Sequence, residues 1–451
     1  MEARTCGGTV TLSSWAWDVP DYFWILWWRS RRARTLMMQV SGEPERKGSG
    51  GGRAAAGFQQ QVMDEMERYG RFPLTGRVAL DLHFRATRRN PPSIHRVAKH
   101  TLDILGPALP GNVRTRRRHV LYRDDRQVKF LYVDLDQAWQ AGPRGAEREP
   151  GTFIIARRAS DVTTYLCMAH RLSRERHDED EDSPFSVPDL PDDHEPDWLT
   201  EPGAVLTPVE RFLADSVRFH YIIERQEAIL GRTDALLASG LSMYLEDLRR
   251  ASAPRQLAAI FEESRERSRD LLLANPLALP LPGLPRASGE SRDFARLIRA
   301  RLGEFLSHWP LFRPLLVPVT LTFLVIPPEQ GKDLDNIALT ALPIAHEVLR
   351  PHIEPHLLAP SYRDDPSEAW RVEALARLRS VNALSVRAYQ VIELPRSPQD
   401  QPEGTLLLAL GRHSHGSWWD HAATYLDKEI EEAEQRDELG DSSWESVFAR
   451  W

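Results

Sequence analysis

The chain has 451 residues, a formal net charge of −7 and a hydrophobic content of 41%. That is ordinary for a water-soluble globular protein and long enough for two or three domains with their own cores. No apolar run approaches the length of a membrane span, and the two cysteines, Cys6 and Cys167, exclude a disulfide scaffold or a thiolate zinc site, so an intracellular, cytoplasmic protein is expected.

Charge is unevenly placed. From Asp81 to Phe130 there are 12 Lys and Arg against 4 Asp and Glu, whereas Asp178 to Glu201 holds 11 acidic residues and no basic one. A basic patch in an acidic protein suits a polyanion such as nucleic acid. The run Arg114–Arg118 by itself reads equally well as a solvated loop.

Residues 1–36 crowd Trp15, Trp17, Tyr22, Phe23, Trp24, Trp27 and Trp28 ahead of Arg29, Arg31, Arg32 and Arg34. Charge follows the apolar run instead of preceding it, unlike a signal peptide. The segment reads either as an aromatic tail that packs elsewhere or, preferably, as an extension upstream of a true start at Met37 or Met38.

A first unit is expected over residues 37–160. Met37–Val40 reads as a strand, Ser41–Gly48 as a polar turn and the glycines to Gly52 as a loop. Phe58–Tyr69 reads as a helix, Val78–Phe84 as an alternating strand and Ile94–Leu105 as a helix. After the basic loop come Leu121–Arg126 and the strands Gln127–Leu135 and Thr152–Ala156. Residues 161–207 read as an acidic linker. A helical connector follows over 208–267. It opens on the capping box Thr207-Pro208-Val209-Glu210 and continues with helices at Asp234–Leu248 and Pro254–Ser268.

The first pattern returns in a second unit over residues 268–411. Leu271–Pro280 reads as a strand, Leu281–Pro285 as a turn and Asp293–Leu306 as a helix. Val317–Ile326 is a buried strand, and Asp333–Arg350 an acidic turn plus a helix with Pro343 as a candidate kink. Ser361-Tyr-Arg-Asp-Asp365 echoes Leu121-Tyr-Arg-Asp-Asp125. A helical insert at Ser367–Arg379 precedes the strands Ser385–Leu394 and Gly404–Leu410. Both halves share one order of elements, which argues for internal duplication. The tail, 412–451, carries His413, His415, Asp420 and His421 in an expected surface loop, with metal ligation the lesser reading, then an acidic helix at Ala422–Leu439.

The chemistry centres on Gly331-Lys332-Asp333-Leu334-Asp335-Asn336. On extended backbone, positions i and i+2 face one side, so Asp333 and Asp335 present two carboxylates together. Such a pair repels unless a cation sits between them, and Mg²⁺ with oxygen ligands is the natural occupant. Taken alone, the same four residues read more simply as a helix-capping turn.

The order strand, Gly-Glu-Pro turn, helix, strand, acidic turn plus helix, Asp-Asp, strand, strand resembles the RusA family of Holliday junction resolvases. The opening turn is Ser41-Gly42-Glu43-Pro44. The family's Asp-Leu-Asp-Asn stands as Asp333-Leu334-Asp335-Asn336, and its later acidic pair as Asp124-Asp125 before Arg126-Gln127-Val128. The resemblance covers about 120 residues in each half. It implies an α+β fold in which two RusA-like mixed sheet-plus-helix units form a pseudo-dimer, joined by the acidic linker and helical connector. It also implies a dimeric Mg²⁺-dependent endonuclease acting on branched or duplex DNA in recombination and repair.

Carried onto this chain, the catalytic set is Asp333, Asp335 and Asp365, with Asp364 as substitute; Asp333, Asp335 and Asp365 are the metal ligands. Departures are plain. The first unit reads Ser93-Ile94-His95-Arg96 at the Asp-x-Asp-Asn place yet keeps Lys99 and Asp103 on the helix, beside Asp124 and Asp125, as remnants. The second unit keeps the carboxylates but has Leu339 and Pro343 at those helix positions. DNA would be held through its phosphates by Arg88, Arg89, Arg96, Lys99, Arg116, Arg117 and Arg118. The alternative is a catalytically inactive nucleic-acid-binding or scaffold protein of the same descent. A further homodimer is left open.

Overall fold

Among the described residues, eight strands make one mixed sheet with helices on both faces. The computed structural model describes residues 21–48, 51–88, 91–113, 118–137, 149–175, 183–188, 208–250, 266–270, 272, 278–282, 291–313, 315–329, 334–349, 386–396 and 400–439. In chain order the first half comprises α1 (Asp21–Arg32), β1 (Leu36–Ser41), α2 (Gly51–Arg68), β2 (Val78–Ala86), α3 (Ile94–Leu105), β3 (Val128–Gln137), β4 (Gly151–Arg158) and α4 (Ala159–Glu175). The long α5 (Pro208–Arg250) leads to β5 (Ala278–Pro282), α6 (Ser291–His308), β6 (Val319–Ile326), α7 (Leu334–Val348), β7 (Val386–Glu393), β8 (Thr405–Arg412) and α8 (Trp418–Leu439).

The strand order is β1-β4-β2-β3-β7-β6-β8-β5. Read inward from either edge it is the same: opening strand, last strand, second strand, third strand. The second and third strands of each half are parallel, and both pairs break register after their first residue, at Val78/Ala79 and at Val319/Thr320. The last strand of each half pairs antiparallel with the first and second. The halves meet where β3 and β7 run antiparallel, with Phe130 opposite Ile392 and Val133 opposite Tyr389.

Position in the sheet explains the strand sequences. β6, covered on both faces, is buried at every position and therefore reads as a continuous apolar run. β1, at an edge, alternates buried and exposed. β5 pairs only with β8, and an edge strand tolerates Pro280 and Pro282 because few ladder donors are required of it. On one face Met63 and Met66 of α2, Val97 and Leu102 of α3, Ile298 of α6 and Leu342 of α7 pack against Leu80, Phe84 and Phe323. On the other, Trp28 of α1, Tyr165 and Leu166 of α4, Leu241 of α5 and Trp419 of α8 cover Ala79, Phe130 and Tyr132.

Several expectations are corrected. The acidic linker does not begin at residue 161: α4 runs to Glu175, because Val162, Tyr165, Leu166 and Ala169 form a buried stripe at helical spacing. The Gly-rich stretch is not wholly loop, since α2 starts at Gly51. The connector's first helices are a single helix of 43 residues, and the strand expected at Leu271–Pro280 lies instead at Ala278–Pro282. Trp418 and Trp419 are buried in the first turn of α8, not in a surface loop. The aromatic extension is helical from Asp21 onward and packs through Ile25 and Trp28. Trp28 is 1% exposed, meets Tyr165 edge-on at 4.8 Å between ring centres, and donates from Nε1 to Asp427 at 2.8 Å. The capping Thr207, the Pro254–Ser268 helix up to residue 265, the second Tyr-Arg-Asp-Asp and the Ser367–Arg379 insert lie outside the described residues. Among the described residues no helix is long and apolar enough to cross a membrane.

Candidate nucleic-acid interface

The Gly-Glu-Pro turn joins β1 to α2. Gly42 sits at φ 120°, a region open to glycine but not to side chains with a Cβ, and its N–H donates to the Pro150 carbonyl at 3.1 Å. Glu43 turns back onto the end of β2, accepting from the backbone N–H of Thr87 at 2.9 Å and of Arg88 at 3.0 Å. Arg88 donates to the Pro44 carbonyl and lies 3.8 Å from Glu43, so it is tied into the turn. Beyond it come Arg46, Lys47 and Gly48, the last at φ 86°.

Helix α3 buries Ile94, His95, Val97, Ala98, Thr101 and Leu102. Its other face carries Arg96, Lys99, His100 and Asp103, the i, i+3, i+4, i+7 complement of the apolar stripe. Lys99 Nζ lies 3.0 Å from Asp103 and 3.3 Å from Asp125, and Lys47 lies 3.6 Å from Asp103. The two acids of Asp124-Asp125 have separate tasks. Asp124 caps the short 3₁₀ turn Asp125–Gln127, accepting from Arg126 N–H at 3.0 Å, and that bond holds its carboxyl below the usual range. Asp125 reaches Lys99.

A cavity of about 330 Å³ opens beside this group, lined by Arg46, Lys47, Gly48, Arg96, Lys99 and His100, and closed by Leu339 of α7. Four cations here outnumber the two carboxylates that hold Lys99, so the cavity favours an anion of phosphate charge. Where α3 faces α7, His95 and His346 are both held neutral, each lowered to about 4 by burial. His95 Nε2 is 3.2 Å from the Ser93 hydroxyl. The place that carries carboxylates in the resembled family is therefore a neutral imidazole packed into the helix contact.

Of the expected catalytic set, Asp335 lies in the first turn of α7; Asp333, Asp364 and Asp365 lie outside the described residues, as do Arg89, Arg116 and Arg117. Arg118 is exposed, and its carbonyl accepts from Ala108 N–H at 3.0 Å. The structure places Arg96 and Lys99 on one cavity, with Asp103 and Asp125 paired to Lys99 beside it. Sequence reading missed Arg46, Lys47 and His100. The signals were present: two adjacent cations just after Gly-Glu-Pro, and a histidine one helical turn beyond Arg96.

A second polar cluster lies on the opposite face of the sheet and was not foreseen. Asp81 of β2 is fully buried, accepts from Trp419 Nε1 at 2.7 Å and pairs with Arg157 of β4 at 2.8 Å; Arg157 also reaches Asp420 at 3.0 Å. Burial pushes the Asp81 carboxyl up to about 6 against the pull of Arg157. His83 and Asp134, neighbours on paired strands, lie 2.9 Å apart. In the tail, the rings of His413 and His415 are 4.9 Å apart, and burial lowers His413 to about 3; among the described residues no group of three His, Cys, Asp or Glu is arranged to hold a metal.

Compared with protein-family models, curated proteins and solved structures, the chain matches none.

Proposed function

We propose that the chain is a RusA-like structure-selective endonuclease in which two fused units act as a pseudo-dimer on branched DNA. The observation that carries the reading is the shared cavity. Its cations come from the first half, but Leu339, four residues after Asp335 on α7, forms its wall. Four residues are about 6 Å along a helix axis. A backbone phosphate held by Arg46, Lys47, Arg96 and Lys99 therefore lies near the first turn of α7, which opens at Leu334 and includes Asp335. The strand order that repeats from both edges supports the pseudo-dimer.

The division of labour follows from the side chains. The first unit grips phosphate and does not cut: His95 and Ser93 offer no carboxylate pair, and Asp103 and Asp125 are already paired with Lys99. In the second unit Asp333 and Asp335 supply hard oxygen donors of the kind Mg²⁺ takes, with Asp365 or Asp364 as the third. A bound Mg²⁺ would lower the pKa of a water and offset charge on the phosphoryl oxygens. The protein's own part is to hold the backbone by its phosphates and set it against that turn. Incubating the chain with four-way, flap and linear duplex DNA in Mg²⁺ tests the reading: branched substrates are cut and linear duplex is not. If no DNA is cut but junctions bind at the cavity, the catalytically inactive binding protein replaces it.

A further inference from the structure

Two large aromatic side chains of the loop between α2 and β2 stand in solvent: Tyr69 is 62% exposed and Phe72 75%. The loop that carries them is pinned on both sides. Gly70, at φ 61°, closes the end of α2, and the Arg71 N–H donates to the Met66 carbonyl at 2.7 Å. The Arg71 guanidinium donates to the Ala33 carbonyl between α1 and β1. Beyond Phe72, the Leu74 N–H donates to the Leu121 carbonyl at 2.7 Å, and the Gln127 side-chain amide to the Gly76 carbonyl at 2.7 Å. A single exposed apolar residue is ordinary on a protein surface. Two rings three positions apart on a loop fixed this firmly make a presented surface.

The same bonds gather arginines around the rings. Arg34 follows Ala33, and Arg123 and Arg126 lie in the stretch that Leu121 and Gln127 tie to the loop. Arg77 follows Gly76; its carbonyl accepts from the Ala159 N–H at 3.0 Å, and its neighbour Val78 pairs with Arg158. Arg34, Arg77, Arg123, Arg126 and Arg158 are exposed, and Arg71 is half-buried. Nearby carboxylates are fewer and mostly engaged. Glu65 pairs with Arg68 at 2.8 Å, Asp161 with Arg31 at 2.7 Å, and Asp125 with Lys99 at 3.3 Å, while Asp124 caps its own turn; Glu67 is exposed.

Cation and ring together select the partner. Duplex DNA offers phosphates to arginine but keeps its base faces inside the stack. A single strand offers both, phosphates to the guanidinium groups and flat bases to the aromatic rings. We infer that this end of the first unit binds single-stranded DNA, with bases stacked on Tyr69 and Phe72 and the backbone held by the arginines. The choice of DNA rests on the function proposed above, and names the part of a branched substrate that is gripped here, its unpaired strand. The surface continues toward the phosphate cavity, because Asp125, between Arg123 and Arg126 in the chain, reaches Lys99 on the cavity wall.

Fluorescence anisotropy of the full chain with a labelled oligothymidylate of about 12 nucleotides, within the site sizes of such surfaces, tests this. The parent is expected to bind it, and Tyr69→Ala/Phe72→Ala to bind it roughly 10- to 100-fold more weakly with an unchanged salt dependence. Arg77→Ala/Arg123→Ala should instead flatten the log–log salt dependence by roughly 1.4, since each single-strand phosphate contact contributes roughly 0.7. All four side chains are exposed, so both variants should unfold at the parent's temperature. No binding by the parent, or parental affinity in the aromatic variant, overturns the inference; tighter binding of an oligouridylate of the same length overturns the choice of DNA. Junction cleavage by the same preparations keeps the two readings apart. Single strands bound with no junction cut removes the endonuclease and upholds this surface, whereas junctions cut with no single strand bound removes this surface alone.

Discussion

The ammonium of Lys99 on α3 lies 3.3 Å from the carboxylate of Asp125 in the Tyr-Arg-Asp-Asp loop. Asp103 stands 3.0 Å away from the same ammonium, so one cation of the cavity lining is shared by two carboxylates. Lys99 has two effects there: it adds positive charge, and it cancels negative charge that would repel a phosphate.

Removing it should therefore do more harm than removing a neighbour. Lys99→Ala is expected to weaken junction binding by more than Arg96→Ala, because Asp103 and Asp125 are then unbalanced. Arg96→Ala and Lys47→Ala should each flatten the log–log salt dependence by roughly 0.9, the slope of one duplex phosphate contact. Titrations at several salt concentrations check this; unchanged slopes in both variants would leave the cavity outside the DNA path.

Trp28 binds the N-terminal helix to the body of the protein. Trp28→Ala is expected to destabilise the fold by about 3–5 kcal/mol, as large aromatic truncations in cores do. A chain beginning at Met37 should fare at least as badly, since it also loses Ile25 and the Arg31–Asp161 and Arg32–Asp427 pairs. Urea unfolding of the variants measures both effects.

Asp234 of α5 is half-buried, its carboxylate set against Gly411, where any Cβ would overlap it. It accepts from Trp418 Nε1 at 3.3 Å. Burial raises its pKa to about 7. The folded state therefore holds this proton more tightly than the unfolded chain, and its stabilising contribution, full below the unfolded value near 4, is lost as pH rises toward 7. Asp234→Asn keeps the acceptor without the titration. Its stability relative to the parent should grow by up to about 1.4 kcal/mol per pH unit between pH 4 and 7 and then level off. A difference independent of pH would refute the assignment.

Much of the sheet was legible because each strand's pattern reports its place in it: continuous apolar residues in β6, alternation in β1. What escaped reading did so for physical reasons. The helix α4 lies ahead of an acidic run whose composition masked its stripe of Val162, Tyr165, Leu166 and Ala169. Trp418 and Trp419 look like loop residues beside histidines until Asp81, over 300 positions earlier in the chain, supplies an acceptor for the Trp419 indole. At the site, Lys99, Asp103 and Asp125 were marked by their motif. Arg46 and Lys47 were not, because a turn of mixed charge has no periodicity to show which side faces a cavity.

Parallel substitutions in α7 and α3 test the account most directly, with cleavage of a four-way DNA junction in Mg²⁺ as the readout. Asp335→Asn keeps shape and capping ability and removes the charge that would hold the metal, so cleavage should be abolished while junction binding stays intact or tightens. His95→Asn, at the matching place in the first unit, should leave cleavage nearly unchanged. Loss of cleavage in His95→Asn with normal cleavage in Asp335→Asn would contradict the account and move the cutting site to the first unit.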